Sequence, residues 1–332
     1  MVRSAAISGY ADLARKCGLD PARLARQVGL SLRSLATPDN RVPAYKVYRL
    51  MERTAAAARM PEFGLQLAGK RGLSHLGPLG LLARDEPDVR RGLQRIAVSM
   101  KLHSTCVVLQ LQEEHGFAVV VLNVLPDGET HIRQSVEAGV ALLYQILVAL
   151  LGPGWRPLEV QFVHAAAANS HPHRQFFGCP VRFASQHNAV VLRSSDLDQP
   201  VPGSDQGFRA YTSAAVPSMA APDTKATANR VRHAILQRLP QGNCTSQTVA
   251  ESLGVHRRTL HRHLGEAGLD FTTLLASMRL ELAQQYLAAG ALRMAEISDL
   301  LGFNAASSFS RWFTQSAGAS PSQWRRKAGP SP

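Results

Sequence analysis

Cysteine is scarce in this 332-residue chain, which holds Cys17, Cys106, Cys179 and Cys244 and no others. They lie far apart, no pair has zinc-ligand spacing, and nothing marks a disulfide framework. A reducing compartment fits. Acid is also short, with 24 Asp and Glu against 37 Lys and Arg, for a formal net charge of +13. Such an excess argues for an anionic partner, nucleic acid first; the bland alternative is a basic surface. No apolar signal core follows Met1. The longest apolar run, Ala138 to Leu151, is interrupted by Tyr144 and Gln145 and is too short to span a bilayer. The expectation is a buried helix in a soluble, cytoplasmic protein with no membrane role.

Catalytic signatures are missing too. There is no Gly-x-Ser-x-Gly elbow and no His-Glu-x-x-His pair. Glu113-Glu114 reads as a solvated hairpin tip. His75, His103, His115, His131, His164, His171, His173 and His187 form no convincing ligand set, and surface or capping roles are expected. His171-Pro172-His173 cannot place both rings on one helical face. Arg133 reads as a solvated first-turn residue rather than a clamp for a ligand carboxylate. Gly64 to Lys70 imitates a phosphate-binding loop, but Arg71 stands where a Ser or Thr would hold magnesium, and the preceding segment looks helical. A helix end is the better reading. No enzyme, cofactor or metal is expected.

What the chain does contain is periodicity. Ile7 to Leu35 reads as short helices stopped at Gly18 and Gly29, and Tyr45 to Arg59 as an amphipathic helix. Helices follow at Leu79 to Leu82 and Val89 to Leu102. Then the period changes. Cys106 to Leu111 and Phe117 to Val124 form a hairpin. Ile132 to Leu151 is a long helix, Leu158 to His164 a strand, Pro172 to Phe177 a short helix, and Val190 to Leu192 a last strand. This order gives an α+β domain over residues 1–213. A Pro-, Ala- and Ser-rich linker occupies 214–226. An all-α domain fills 227–328, where net charge is densest: residues 223–332 carry 13 basic and 7 acidic side chains.

That last domain writes one pattern twice. Val249-Ala250, Leu253-Gly254-Val255 and Thr259-Leu260-His261-Arg262 are followed by Ile297-Ser298, Leu301-Gly302-Phe303 and Ser308-Phe309-Ser310-Arg311. A helix with an apolar pair, a Leu-Gly-apolar turn and an arginine-bearing second helix spells a helix-turn-helix. The second helices are placed at about 256–264 and 306–313, joined by a long helix from Phe271 to Ala289. Arg258, His261 and Arg262 fall at i, i+3 and i+4 and share one face. Arginine there can pair with both acceptors of a guanine in the major groove. Arg257 and Thr259 join the set, with Arg257 and His263 suited to phosphate contact. Ser307, Ser310 and Arg311 repeat the geometry with a single charge. The alternatives are a solvated basic face for the first helix and, for Arg311, pairing with Glu296 or Asp299. Two probes entering successive major grooves would sit about 34 Å apart.

Ala228 to Arg326 resembles the DNA-binding domain of AraC/XylS-type transcription regulators. The resemblance rests on both units above, on Gly268-x-x-Phe271, on Arg279-x-x-x-Ala283-x-x-x-Leu287 and on Gly318-x-Ser320-Pro321-x-x-Trp324-Arg325. Ser298 stands where the family usually has alanine, and Trp324 where tyrosine is common. More weakly, Leu76-Gly77-Pro78-Leu79-Gly80 and Phe176-Phe177-Gly178-Cys179-Pro180-Val181-x-Phe183 resemble the regulatory domain of one branch. The resemblance implies a one-component regulator that binds promoter or operator DNA, engages RNA polymerase and senses a small effector of unknown identity. A homodimer through residues 1–213 is compatible with it.

Overall fold

The computed structural model describes residues 1–332 except 70, 126–130, 168, 203–229, 233, 237, 291 and 329–332. It divides into two compact units, Met1–Phe162 with Ala166–Ala220, and Ala221–Pro332 with Val163–Ala165. The expected linker at 214–226 lies outside the described residues.

The first unit begins with the short helices α1 (Tyr10–Lys16), α2 (Pro21–Gln27) and α3 (Leu32–Ala36). Their starts are set by local chemistry. The Asp20 carboxylate accepts from Ala22 N and Arg23 N, and Pro21 occupies the first turn of α2, where its missing N–H is not needed. Helices α4 (Ala44–Ala58), α5 (Phe63–Ala68), α6 (Pro78–Arg84) and α7 (Val89–His103) follow. Gly64 has a packing reason rather than a phosphate-binding one. A Cβ on it would lie 2.0 Å from the carbonyl oxygen of Gln134, and its N–H donates to the Gln134 side chain at 2.7 Å. Two strands that sequence periodicity could not reveal, β1 (Val2–Arg3) and β2 (Arg41–Val42), pair antiparallel. Two residues are too few to show a period.

The main sheet contains β3 (Val107–Glu114), β4 (Phe117–Val124), β5 (Glu159–Gln161), β6 (Val181–Arg182) and β7 (Ala189–Arg193), in the order β3-β4-β7-β5-β6. All neighbours are antiparallel except β5 and β6. Glu113 and Glu114 are not the hairpin tip. They extend β3, opposite Ala118 and Phe117, and Glu113 forms an ion pair with Arg90. The turn is His115-Gly116, both at positive φ, the conformation that suits the twist of a two-residue hairpin.

Helix α8 (Arg133–Leu151) covers the sheet and buries Val136, Val140, Leu143, Leu147 and Leu150. Its length and composition are enough to cross a bilayer, so the shortness of the apolar run did not exclude that. Packing places it in a core, and it carries buried Gln134 and Glu137. After it come α9 (His171–Phe177), closed by left-handed Gly178, and α10 (Ser194–Leu197). Phe162 and Phe183 pack against the His173 ring, and Phe177 packs against Phe162. The second motif of the weaker resemblance sits here, with Phe177 fully buried and Phe176, Val181 and Phe183 half-buried around it.

Two expectations about polar residues are corrected here. His173 and His103 are buried rather than superficial. His173 Nε2 lies 3.2 Å from the equally buried Glu137. Arg133 is not a solvated first-turn residue, because its Nε donates to Glu137 at 2.8 Å. An i, i+4 carboxylate on an otherwise apolar helix was the available signal. His75 does cap locally, accepting from Gly72 N at 3.2 Å.

Candidate nucleic-acid interface and interior cavity

In the second unit, the helix Ser246–Ser252 starts at Thr245, whose hydroxyl accepts from Thr248 N at 3.2 Å. Val249 and Ala250 are fully buried. The turn runs through Gly254 at φ +66°. The helix Arg257–Glu266 then buries Leu260 and Leu264, each contributing roughly 1.5–3 kcal/mol of burial. That anchors one side and fixes the other. Arg257, Arg258, His261 and Arg262 are exposed, and Thr259 and His263 half-buried. The expected i, i+3, i+4 face is therefore present on the surface. Arg262 Nε is 3.8 Å from Glu266, with both side chains more than half exposed. Such a pair contributes little and is readily exchanged for another anion.

The second unit of the repeat runs Met294–Leu300, turn, Ala306–Ala317. Ile297, Leu301, Phe309 and Phe313 are buried. Ser298 is fully buried too, and its hydroxyl donates to Phe303 O at 3.5 Å, so serine fits where alanine is usual. Arg311 and Ser307 are exposed and Ser310 is half-buried. Arg311 pairs with neither Glu296 nor Asp299. Its Nε donates to Ser307 O at 3.4 Å, and Glu296 accepts from Arg293.

The two arginine-bearing helices share a feature that the sequence reading missed. Neither has a side-chain cap at its first turn, where His256 and Ala305 stand. The supporting helices are closed instead, by Thr245, by Asp270 on Thr273 N, and by Glu296 on Arg293 N. Free N–H groups at a helix start attract phosphate. The signal was legible as the absence of Ser, Thr, Asp or Asn at those positions.

The connecting helix Phe271–Ala289 buries Leu274, Met278, Leu282 and Tyr286, which lie four apart on one side. From it, Arg279 donates to Leu301 O at 3.0 Å and to Gly302 O at 3.4 Å, and its guanidinium lies 4.7 Å from the Phe303 ring centre. This arginine is a positioning residue for the second turn. Arg325 likewise donates to Leu292 O at 2.6 Å. Both belong to the quoted family motifs, but spacing alone did not show that they face inward.

The first unit holds an interior cavity lined by α4, α7, β3, β4 and α8. Its wall includes Val47, Met51, Ile96, Met100, Leu122 and Ile146, together with Arg71, His103 and Ser135. Burial, and then Arg3, Arg41, Arg71 and His75, depress His103 to about 4, so its ring is neutral at pH 7. Dehydration lowers Arg71 to about 10, which leaves it charged.

Residues 18–201 match the family described as the arabinose-binding domain of AraC transcription regulator, N-terminal, and residues 249–327 match a helix-turn-helix domain. The HTH-type transcriptional regulator VirS of Mycobacterium tuberculosis is 28% identical over 331 residues, 99% of this chain and 97% of its own. The ornithine utilization regulator of Pseudomonas aeruginosa is 26% identical over 318 residues, 94% and 91% of the two chains. Among solved structures, the transcriptional regulator CdpR of Pseudomonas aeruginosa aligns over 92% of this chain and 97% of its own, at 21% identity and a TM-score of 0.46. The chain belongs to the AraC-type transcription regulators, a helix-turn-helix DNA-binding protein with an N-terminal domain of the arabinose-binding type.

Proposed function

We propose that Arg258, His261 and Arg262 read base edges in a major groove, while Arg257, Thr259 and the uncapped N–H groups beside them hold phosphate. The observation that carries this reading is the exposed basic face set by buried Leu260 and Leu264. Direct pairing with guanine discriminates by about 1–3 kcal/mol, whereas phosphate contact adds affinity without sequence choice. The second helix, with Arg311, Ser307 and Ser310, enters a neighbouring groove and contributes fewer strong contacts.

In the same reading, residues 1–213 form the regulatory domain, 214–226 the linker and 227–328 the DNA-binding domain. The first domain binds a small effector in its cavity, and occupancy alters DNA binding or polymerase recruitment. The protein works in the cytoplasm as a non-catalytic regulator, and residues 1–213 provide for a homodimer. Selection from randomised duplexes tests the core of this. The expected result is an enriched site with two blocks of conserved bases about one helical turn apart. Recovery of unenriched sequence, as a non-specific architectural binder would give, would refute it.

A further inference from the structure

The cavity of the first unit has a lopsided chemistry. Its body is aliphatic, and Arg71 is the charged side chain in its wall. Arg71 is only 5% exposed. Two of its five N–H donors are used on main-chain carbonyls, Nη1 to Ala6 O at 2.5 Å and Nη2 to Ser8 O at 2.6 Å. Nε is buried with no partner, and so is Ser135 Oγ in the same wall. Among the described residues no carboxylate forms an ion pair with Arg71. Carbonyls satisfy hydrogen bonds but cancel no charge, and an uncompensated buried cation is costly. Nearby Arg41 adds to the positive field, as does Arg3, which is paired to Asp39.

The cavity volume is about 100 Å³. That is room for several waters, and so for a small organic ligand rather than a single ion. A sugar of that size would bring a hydroxyl on nearly every carbon. Each would need a partner or lose about 1–3 kcal/mol, and the polar side chains of the wall, Tyr48, Arg71, His103, Ser104 and Ser135, are outnumbered by aliphatic ones. A cation would meet Arg71 as a like charge. A neutral hydrocarbon would leave Arg71 as unmatched as before.

Building on the effector reading above, we propose that the cavity takes a small amphiphilic anion, a carboxylate on an apolar chain or ring. Arg71 holds the carboxylate, Ser135 adds a hydrogen bond, and Met51, Ile96, Leu122 and Ile146 enclose the apolar part. The N-terminal domain then shares the arabinose-binding family description without sharing a sugar ligand.

The test is calorimetric titration of the full-length protein with octanoate, octanol, octylammonium and arabinose at one ionic strength. Octanoate is expected to bind at least tenfold more tightly than the other three. Arg71→Gln should weaken octanoate at least tenfold and leave octanol unchanged. Because Arg71 also ties down Ala6 and Ser8, Ala138→Leu serves as a second variant; it fills the cavity from α8 and keeps Arg71. It should abolish octanoate binding while keeping the far-UV circular dichroism and the thermal transition. Octanol binding as well as octanoate, preference for arabinose, or unchanged octanoate binding in Ala138→Leu would each overturn the assignment. Arg71-dependent octanoate binding that changes neither DNA affinity nor in vitro transcription from a selected site would uphold the ligand class and refute the effector reading instead.

Discussion

Arg262 and Arg71 carry the same side chain in opposite surroundings. The Arg262 side chain is 67% exposed, so exchanging water and Glu266 for phosphate or guanine costs it little. Arg71 is already dehydrated, so an anion reaching it gains an interaction that water does not screen. His103 feels the same positive cluster. Its folded value near 4 lies below its ordinary 6.5, so between those values the unfolded chain binds more protons. Stability is therefore full above about pH 7 and is lost as pH falls through 6.5 towards 4. His75 and His187 are also depressed and act in the same direction in any His103 variant. Urea unfolding at pH 7 and pH 5 should show a loss in the wild type that exceeds the loss in His103→Gln by about 2 kcal/mol. Equal losses would mean that His103 is not held neutral.

At the scale of elements, the two turns of the repeat look alike in sequence but are constrained differently. Gly254 and Gly302 both adopt left-handed φ, +66° and +71°. A Cβ at Gly254 meets nothing within 4 Å, whereas at Gly302 it would lie 2.5 Å from the Leu239 carbonyl oxygen. Gly254→Ala should cost about 1 kcal/mol, the left-handed penalty alone. Gly302→Ala should cost at least about 2 kcal/mol more, because backbone must move; equal melting temperatures for the two variants would contradict this. Such asymmetry is invisible in a motif. Local signals such as the Thr245 cap, the Leu260-Leu264 stripe and the α8 periodicity were legible because each depends on a few neighbouring residues. Paired strands of two residues, the approach of His173 to Glu137 and the inward turn of Arg279 were not. Each depends on a partner distant in sequence or on which way a long side chain folds. Arg71 shows the limit most plainly. The sequence marked it as the residue that spoils a phosphate loop, and only packing showed it as the charge of a cavity.

At the scale of the molecule, one unit gathers positive charge on an exposed helix face and the other encloses it beside an apolar space. Both arrangements call for an anion, a polymer in the first case and a small amphiphile in the second. The central claim concerns the polymer. The most direct measurement is fluorescence anisotropy on a duplex recovered by site selection, comparing wild type, Arg262→Ala and Arg311→Ala at fixed salt, with a scrambled duplex as reference. The account predicts that Arg262→Ala loses about ten- to a hundredfold in affinity for the selected duplex and far less for the scrambled one, with Arg311→Ala in between. An Arg262→Ala protein that keeps wild-type discrimination between the two duplexes would contradict it.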